Sequence, residues 1–289
     1  MKKFMTACMC AVFLLCSGGC RSSMKHTREG LLSTPRDREI AGELFKQFGN
    51  EKKKDAGELI VKIGSFFIET PYVAHTLETG EEEKMVVNLR EMDCTTFVEY
   101  CLALTRTIRS GKCNFDRFFR ELEYLRYRGG IRNGYPSRLH YFSEWITDNE
   151  EKKIVQNISR DLAHTIKPNR VNFMSSHPDS YAVLSANPAI LQEISAIENR
   201  ISEKMTWFIP KDRVADLEHL IKDGDIIAFT TYMEGLDVSH VAIAVWVDRH
   251  VRFLHASSKL HKVVLSDEKL EEYLNSGKMI SGIMVARPL

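Results

Sequence analysis

Charge of one sign is what this chain most plainly lacks. Its 289 residues carry 40 Lys plus Arg against 39 Asp plus Glu, for a formal net charge of +1. That balance excludes both a dominant nucleic-acid-binding surface and an acidic solvating tail. With 8 prolines and 16 glycines, the chain is also too poor in both for collagen-like or low-complexity architecture. Several chemical signatures are missing. There is no GxSxG elbow of a serine hydrolase, and no GxGxxG or phosphate-loop pattern for nucleotides. HExxH is absent, and no Cys pair stands at zinc-finger spacing; no metal or other cofactor is expected. What is there, 44% hydrophobic and 27% charged residues, suits a folded body with ample apolar surface for a core.

The only long apolar run lies at the start. Lys2 and Lys3 precede Phe4 to Cys16, and Ser17, Gly18 and Gly19 follow. A short positive segment, an apolar stretch and small residues describe a secretory signal, too short for a membrane span of about 20 residues. Cys20 directly after the small residues resembles a bacterial lipoprotein cleavage box, with Ser17 where Leu is usual. Residues 1–19 are therefore expected to be removed, Cys20 to carry a lipid, and residues 20–38, with their Ser-Thr-Pro stretch, to be a tether. The expected location is the cell envelope or periplasm. Of the seven cysteines, only Cys94, Cys101 and Cys113 remain in the body that follows. An odd count in an exported protein argues against a disulfide framework and leaves at least one free thiol.

Helical periodicity runs from Glu39 to about Glu69, through Ile40, Leu44, Phe48, Ile60, Ile63 and Phe67. A strong helix is predicted from Cys94 to Arg109, with Asp93 as N-cap and Gly111 as its stop. A second runs Phe115 to Tyr127. Residues 131–187 are loop-rich with a short helix near His140–Thr147, and Asn187-Pro188 opens another helix. After the Asp223-Gly224-Asp225 turn come strand-like runs IIAFT, HVAIAVWV, VRFLHA and GIMVA. Helices first and an antiparallel sheet afterwards predict an α+β fold, and no internal repeat is visible.

Cys94 opens its predicted helix, where the positive end of the dipole and free amides favour an anion, so its thiol is expected to ionise readily. The same amides could hold an oxyanion. The alternative reading of Cys94 is a small buried hydrophobe. A thiolate nucleophile needs a base. In HVAIAVWV the residues Val241, Ile243, Val245 and Val247 face one way and His240 the other. If Asp248-Arg249 is a two-residue turn, 240 pairs with 257 and His255 is its diagonal neighbour on the same face, about 7–8 Å away. His255 could then fix the tautomer of His240, as the third member of a Cys–His–X arrangement. The other histidines at 164, 177, 219, 250 and 261 are scattered.

DCTTFVEYCLAL, SHVAIAVWV and FLHASS, in that order, resemble the Cys, His and second polar His boxes of the NlpC-type papain-fold cell-wall hydrolases. PYVAHTLE, with Tyr72 22 residues before Cys94, resembles the Pro-Tyr stretch upstream of their nucleophile. DGDIIAF is similar to their Gly-Asp turn. TPYVAHTLE, NLREMDCTTFVEYCLAL, SRLHYFSEWI and GDIIAFTT together resemble the N-acetylmuramoyl-L-alanine amidase-like family within that group. The likeness covers most of the chain from about residue 40. One departure is His75, where glycine is more usual.

The resemblance implies a papain-like α+β domain over 39–289, with the nucleophile at a helix N-terminus packed on an antiparallel sheet, plus helical and loop insertions. It makes Cys94 the nucleophile, His240 the general base and then acid, and His255 the orienting residue. Tyr72 would hold the oxyanion or the substrate peptide through its hydroxyl. The implied substrates are muropeptides, cut between the lactyl group of muramic acid and L-alanine, with a preference for anhydro-muramyl fragments. Such a ligand calls for aromatics beside cationic forks. Residues 124–141 form the densest interleaving of that kind, so Arg128, Arg138, His140 and Tyr141 are expected as substrate contacts. Rival readings are a zinc amidase making the same cut, a peptidase of the same fold cutting between D-glutamate and the diamino acid, and a non-catalytic wall-binding lipoprotein.

Overall fold

The computed structural model of the chain describes residues 30–80, 82–163 and 165–289. The export segment 1–19, the lipid site at Cys20 and most of the expected tether lie outside the described residues.

The folded body begins earlier than residue 39. Strand β1 (Leu31–Leu32) pairs in parallel with β2 (Met85–Val86). Helix α1 (Pro35–Phe48) then starts with Thr34 as N-cap and Pro35 in its first turn. The Ser-Thr-Pro stretch read as linker is thus a helix start, because Thr at the cap and Pro at the first position both suit it. Asp37 completes a capping box with Thr34 and also accepts from the Leu89 amide at 2.8 Å, tying this segment into the core. Helix α2 (Ala56–Phe66) takes Asp55 as its cap. Gly57 in its first turn lies against the Asp223-Gly224 turn, where Gly224 has φ +81; a Cβ on Gly224 would strike the Gly57 backbone, and one on Gly57 the Asp223 carbonyl. That contact docks α2 on the turn leading into the sheet.

Helix α3 (Cys94–Arg109) and helix α4 (Phe115–Arg126) form the next layer. Then come α5 (Phe142–Glu151), β3 (Val155–Asn157), α6 (Ser159–Ala163) and β4 (Ile166–Pro168). Helices α7 (Phe173–Ser176), α8 (Ala182–Ala186) and α9 (Pro188–Ser202) follow, before β5 (Met205–Trp207), β6 (Ile209–Pro210) and α10 (Val214–Leu217). The chain closes with β7 (Ile226–Thr231), β8 (Val238–Val247), β9 (His250–Ser257), β10 (Lys262–Leu265), α11 (Leu270–Ser276) and β11 (Ile280–Pro288).

The principal sheet runs β10-β9-β8-β7-β11-β3, with β6 also on β11, and every pairing is antiparallel. It is a mixed α+β architecture. The β8–β9 hairpin turns at Asp248 and Arg249, both with positive φ, and its pairs such as Ile243↔Leu254 keep the register expected from a two-residue turn. Both faces of the sheet are buried. Val241 and Ile243 join the core under α2 and α3, while Ala242, Ala244, Phe229 and Phe253 form a second core closed by α11. A third apolar cluster joins Tyr135 and Tyr141 to residues 171–201. Among the described residues no helix is long and apolar enough to cross a membrane.

Candidate functional site

Cys94 is the first residue of α3, whose N-cap is Asp93. The Asp93 carboxylate accepts from the Thr96 amide at 2.8 Å, while Thr96 Oγ1 accepts from the Asp93 amide at 2.9 Å. The cap that makes this helix start so legible also changes the chemistry expected of it. It takes up one of the free amides and sets a carboxylate beside the sulfur. Burial pushes the Cys94 thiol up to about 12; the Asp93 charge adds to this, against the main chain of Val241 and the amide and hydroxyl of Thr95. The expectation of a readily ionised thiol is therefore corrected: in this setting the sulfur rests protonated. Cys101 is buried mid-helix and Cys113 lies beyond the helix stop; all three described cysteines are free.

Val241, whose main chain meets the thiol, directly follows His240. The thiol thus meets the β8 backbone one residue from His240, which stands 146 positions further along the sequence. His240 Nε2 and His255 Nδ1 are 2.7 Å apart. The diagonal placement expected from the hairpin register is borne out, and both rings lie on the face opposite Val241. Burial lowers His240 to about 3, helped by His255, and burial alone lowers His255 to about 4. Two neutral rings can share one hydrogen bond only if one nitrogen donates and the other accepts. If His240 donates through Nε2, its Nδ1 keeps a lone pair. Among the described residues no hydrogen bond runs from the Cys94 sulfur to either imidazole.

Tyr72 reaches the same rim by backbone pairing. Its amide donates to the His261 carbonyl at 2.9 Å, and the Met92 amide donates to the Pro71 carbonyl at 3.1 Å. The segment 70–73 is thereby laid between the β10 end and the residues just before Cys94. Burial raises the Tyr72 hydroxyl, with the charges of Cys94 and Asp93 acting in the same direction. His75, the departure noted above, has φ +60, the left-handed region in which glycine is usual.

A family model described as AmiA-like, N-acetylmuramoyl-L-alanine amidase-like, matches residues 62–283. The chain belongs to this family. A crystal structure of an N-acetylmuramoyl-L-alanine amidase from Bacteroides uniformis superposes with a TM-score of 0.78 at 38% identity, covering 81% of this chain and 98% of that one. A Bacteroides fragilis chain named as a candidate xylanase is also 38% identical, with a TM-score of 0.76 over 78% of this chain and 99% of that one. A Legionella pneumophila protein assigned to the family model DUF1460 is 19% identical at a TM-score of 0.64, covering 87% of this chain and 95% of that one, a likeness of fold alone. Comparison with curated proteins finds no match.

The expected substrate contacts between 128 and 141 are placed differently from the amidase-like rim. Arg128 makes a two-pronged ion pair with Glu144, at 2.8 and 2.9 Å, and donates to the Pro136 carbonyl. Arg138 is 5% exposed and bonded to Glu78 and to the Leu77 carbonyl, with Glu83 at 3.7 Å. Tyr141 is buried and donates to Glu198 at 2.6 Å. His140 Nε2 lies 2.9 Å from the Tyr135 carbonyl, and burial, then Arg138 and Arg128, holds it well below the ordinary imidazole value. These groups spend their polar atoms inside the protein, so the free cationic fork expected from their spacing is not present. A cavity of about 460 Å³ lined by Arg160, Asn169, Arg200 and Trp207, and another of about 670 Å³ lined by Arg132, Tyr135 and Glu193, include neither Cys94 nor the paired histidines.

Two groups of residues near the rim escaped the sequence reading. Phe229 pairs with His240 across β7 and β8 and stacks on its ring at 5.6 Å; the β7 pattern alone showed only an apolar strand. Tyr232, Met233 and Met279 are exposed just past the end of β7, joined by a Tyr232 amide to Met279 carbonyl bond of 2.9 Å. Their exposure depends on how the β7–β8 and α11–β11 connections fold back, which carries no local signal. Among the described residues no cluster of three or more His, Cys, Asp or Glu is arranged to hold a metal ion.

Proposed function

We propose that this chain is a cysteine amidase of papain-like arrangement that hydrolyses the amide between N-acetylmuramic acid and L-alanine in muropeptides, with the anhydro-muramyl form as preferred substrate, in peptidoglycan turnover. The observation that carries the reading is the 2.7 Å His240–His255 bond, placed beside the backbone that meets Cys94 at the start of α3. Family membership and the amidase named among its relatives support the same bond class.

His255 accepts from Nε2–H of His240 and fixes the tautomer whose Nδ1 is a base. Nδ1 takes the Cys94 proton as sulfur attacks the carbonyl carbon, since a thiol held near 12 does not supply a standing thiolate. The oxyanion meets the amides at the α3 start and the Tyr72 hydroxyl. Collapse breaks the C–N bond, and Nδ1–H protonates the departing L-alanine amine. Water, deprotonated by the same nitrogen, then attacks the thioester and releases the lactyl carboxylic acid and the thiol. Tyr232 and Met279 offer an exposed apolar face near this rim to a sugar ring. The N-terminal segment read from sequence supports export and lipid attachment at Cys20, which labelling with a radioactive fatty acid, lost in Cys20→Ala, would check.

The test is incubation with defined muropeptides, including anhydro forms, followed by mass measurement of the fragments. Free stem peptide beginning with L-alanine is the expected product. A fragment beginning with the diamino acid would instead establish the endopeptidase reading. Loss of turnover on chelation, with indifference to iodoacetamide, would favour the zinc rival.

A further inference from the structure

We propose that Tyr273 is a positioning residue of this site, its ring completing an aromatic wall that keeps the His240–His255 pair aligned and shielded from water. The inference rests on the thiol-amidase reading for its bearing on catalysis, but not for its geometry. Tyr273 lies on α11, a seven-residue helix pinned into the second core by buried Leu270 and Leu274. Its ring centroid is 5.2 Å from Phe229 and 5.0 Å from Phe253, edge-on to both, and 6.5 Å from His255. Phe229 stacks under His240, and Phe253 meets His255 edge-on at 4.9 Å. Phe229 and Phe253 are themselves 5.4 Å apart. Five rings from four elements, β7, β8, β9 and α11, therefore form one continuous cluster, and two of them are the paired imidazoles.

The arrangement answers a mechanical problem. A hydrogen bond between two imidazoles needs the N–H of one ring aimed along the lone pair of the other, and here the planes stand at 81°. Histidine χ2 is a broad, soft torsion, so the backbone alone does not hold that angle. Edge and face contacts with Phe229 and Phe253 remove the freedom, and Tyr273 backs both phenyl rings at once. Its hydroxyl is hydrogen-bonded to no described residue. The ring, rather than the polar tip, is what the fold uses. The titratable or charged groups linked to Tyr273 and the α3 start are Cys94, Asp93 and Tyr72 on one side and Glu268 on the other; Tyr273 itself meets His255 at 6.5 Å. None of these forms an ion pair with either imidazole; burial lowers both, helped at His240 by His255, and the wall is part of what buries them.

The test is a proton-NMR titration of the His240 and His255 ring signals, assigned with His→Gln variants, in the full chain carrying Tyr273→Ala and Tyr273→Phe. In Tyr273→Ala at least one of the two midpoints is expected to rise tenfold or more in proton affinity, toward the ordinary imidazole value. Turnover number at neutral pH should fall at least tenfold, with KM changed less than threefold. Tyr273→Phe should restore the titration and most of the turnover. Tyr273→Leu, which keeps more volume, serves in place of an alanine variant that does not fold. Unchanged imidazole midpoints in the Ala or Leu variant would overturn the proposal. So would a Phe variant as impaired as Ala, which would assign the role to the hydroxyl. Because the titration needs no turnover, it decides the role of Tyr273 even if Cys94→Ala remains active and the thiol reading fails.

Discussion

The β8–β9 rim and the 128–207 segment both gather aromatics, histidines and charged groups, yet they use them in opposite ways. At the rim, His240 and His255 are bonded to each other and leave the other nitrogen of each ring without a partner among the described residues, one residue along β8 from the backbone that meets the Cys94 thiol. In the 128–207 segment, Arg128, Arg138 and Tyr141 bond to Glu144, Glu78 and Glu198. Density of functional-looking residues is therefore a poor guide to which polar groups the fold leaves unpaired. What separates the regions is whether acid, base and donor atoms find partners within the fold. A buried charge must be paired to be tolerated, so an interleaving of Arg, Tyr and Glu tends to satisfy itself. A pair of neutral imidazoles carries no such demand and can leave a reactive nitrogen unspent.

The comparison breaks if the rim is not where chemistry happens. Cys94→Ala should lower kcat/KM on a muropeptide by on the order of 10⁴-fold, with little change in melting temperature because only one heavy atom is removed from a residue that is not fully buried. Near-normal turnover in a folded Cys94→Ala protein would remove the nucleophile and the mechanism with it. His255→Ala should cost less, about 10²-fold in kcat with KM nearly unchanged, since it removes an orienting acceptor rather than a reacting group. His255→Asn, which keeps an acceptor, should recover part of that loss.

How legible the two regions were in the sequence follows from the range of the interactions that build them. The start of α3 was readable because capping is local: Asp93 and Thr96 lie three residues apart, and the stop at Gly111 adjoins the last turn. The His240–His255 approach was readable because a two-residue hairpin fixes register across its whole length. What the same local reading missed is the weight of Asp93, which caps the helix and at the same time opposes ionisation of Cys94. The strand β10 was missed because four residues after a turn carry too little pattern, though it supports the Tyr72 segment through the His261 carbonyl. The ion pairs of Arg138 were not legible for a different reason. Its partners Glu78 and Glu83 stand 60 and 55 positions upstream, in a stretch with no periodicity to say where it folds back.

Arg138 sharpens the comparison from the other side. Arg138→Met should destabilise the fold by about 3 kcal/mol, because it leaves Glu78 and the buried Glu83 without their cation. Turnover per folded molecule should stay within about threefold of the parent. Denaturant unfolding paired with kinetics separates the two effects. A tenfold rise in KM with unchanged stability would return Arg138 to the substrate.

The smallest effect concerns acid sensitivity, which the two regions should share. Burial lowers His240 to about 3 and His255 to about 4, from an ordinary value of 6.5, and holds His140 well down too. A depressed folded value means that the unfolded chain binds the proton first as pH falls. The contribution of each histidine is therefore complete above about 6.5 and is lost progressively below it, toward the folded values. Cys94 acts with the opposite sign: raised from 9 to about 12, it contributes fully below about 9 and is lost as pH climbs toward 12. Melting temperature should accordingly hold a plateau between these limits and fall on both sides. In a His240→Gln/His255→Gln double variant the acid slope between pH 6.5 and 4 should become shallower without vanishing, because His140 keeps its share. Disappearance of the slope would locate all of the acid sensitivity at the rim, while an unchanged slope would mean that the paired imidazoles are open to solvent protons and that burial is not what holds them neutral.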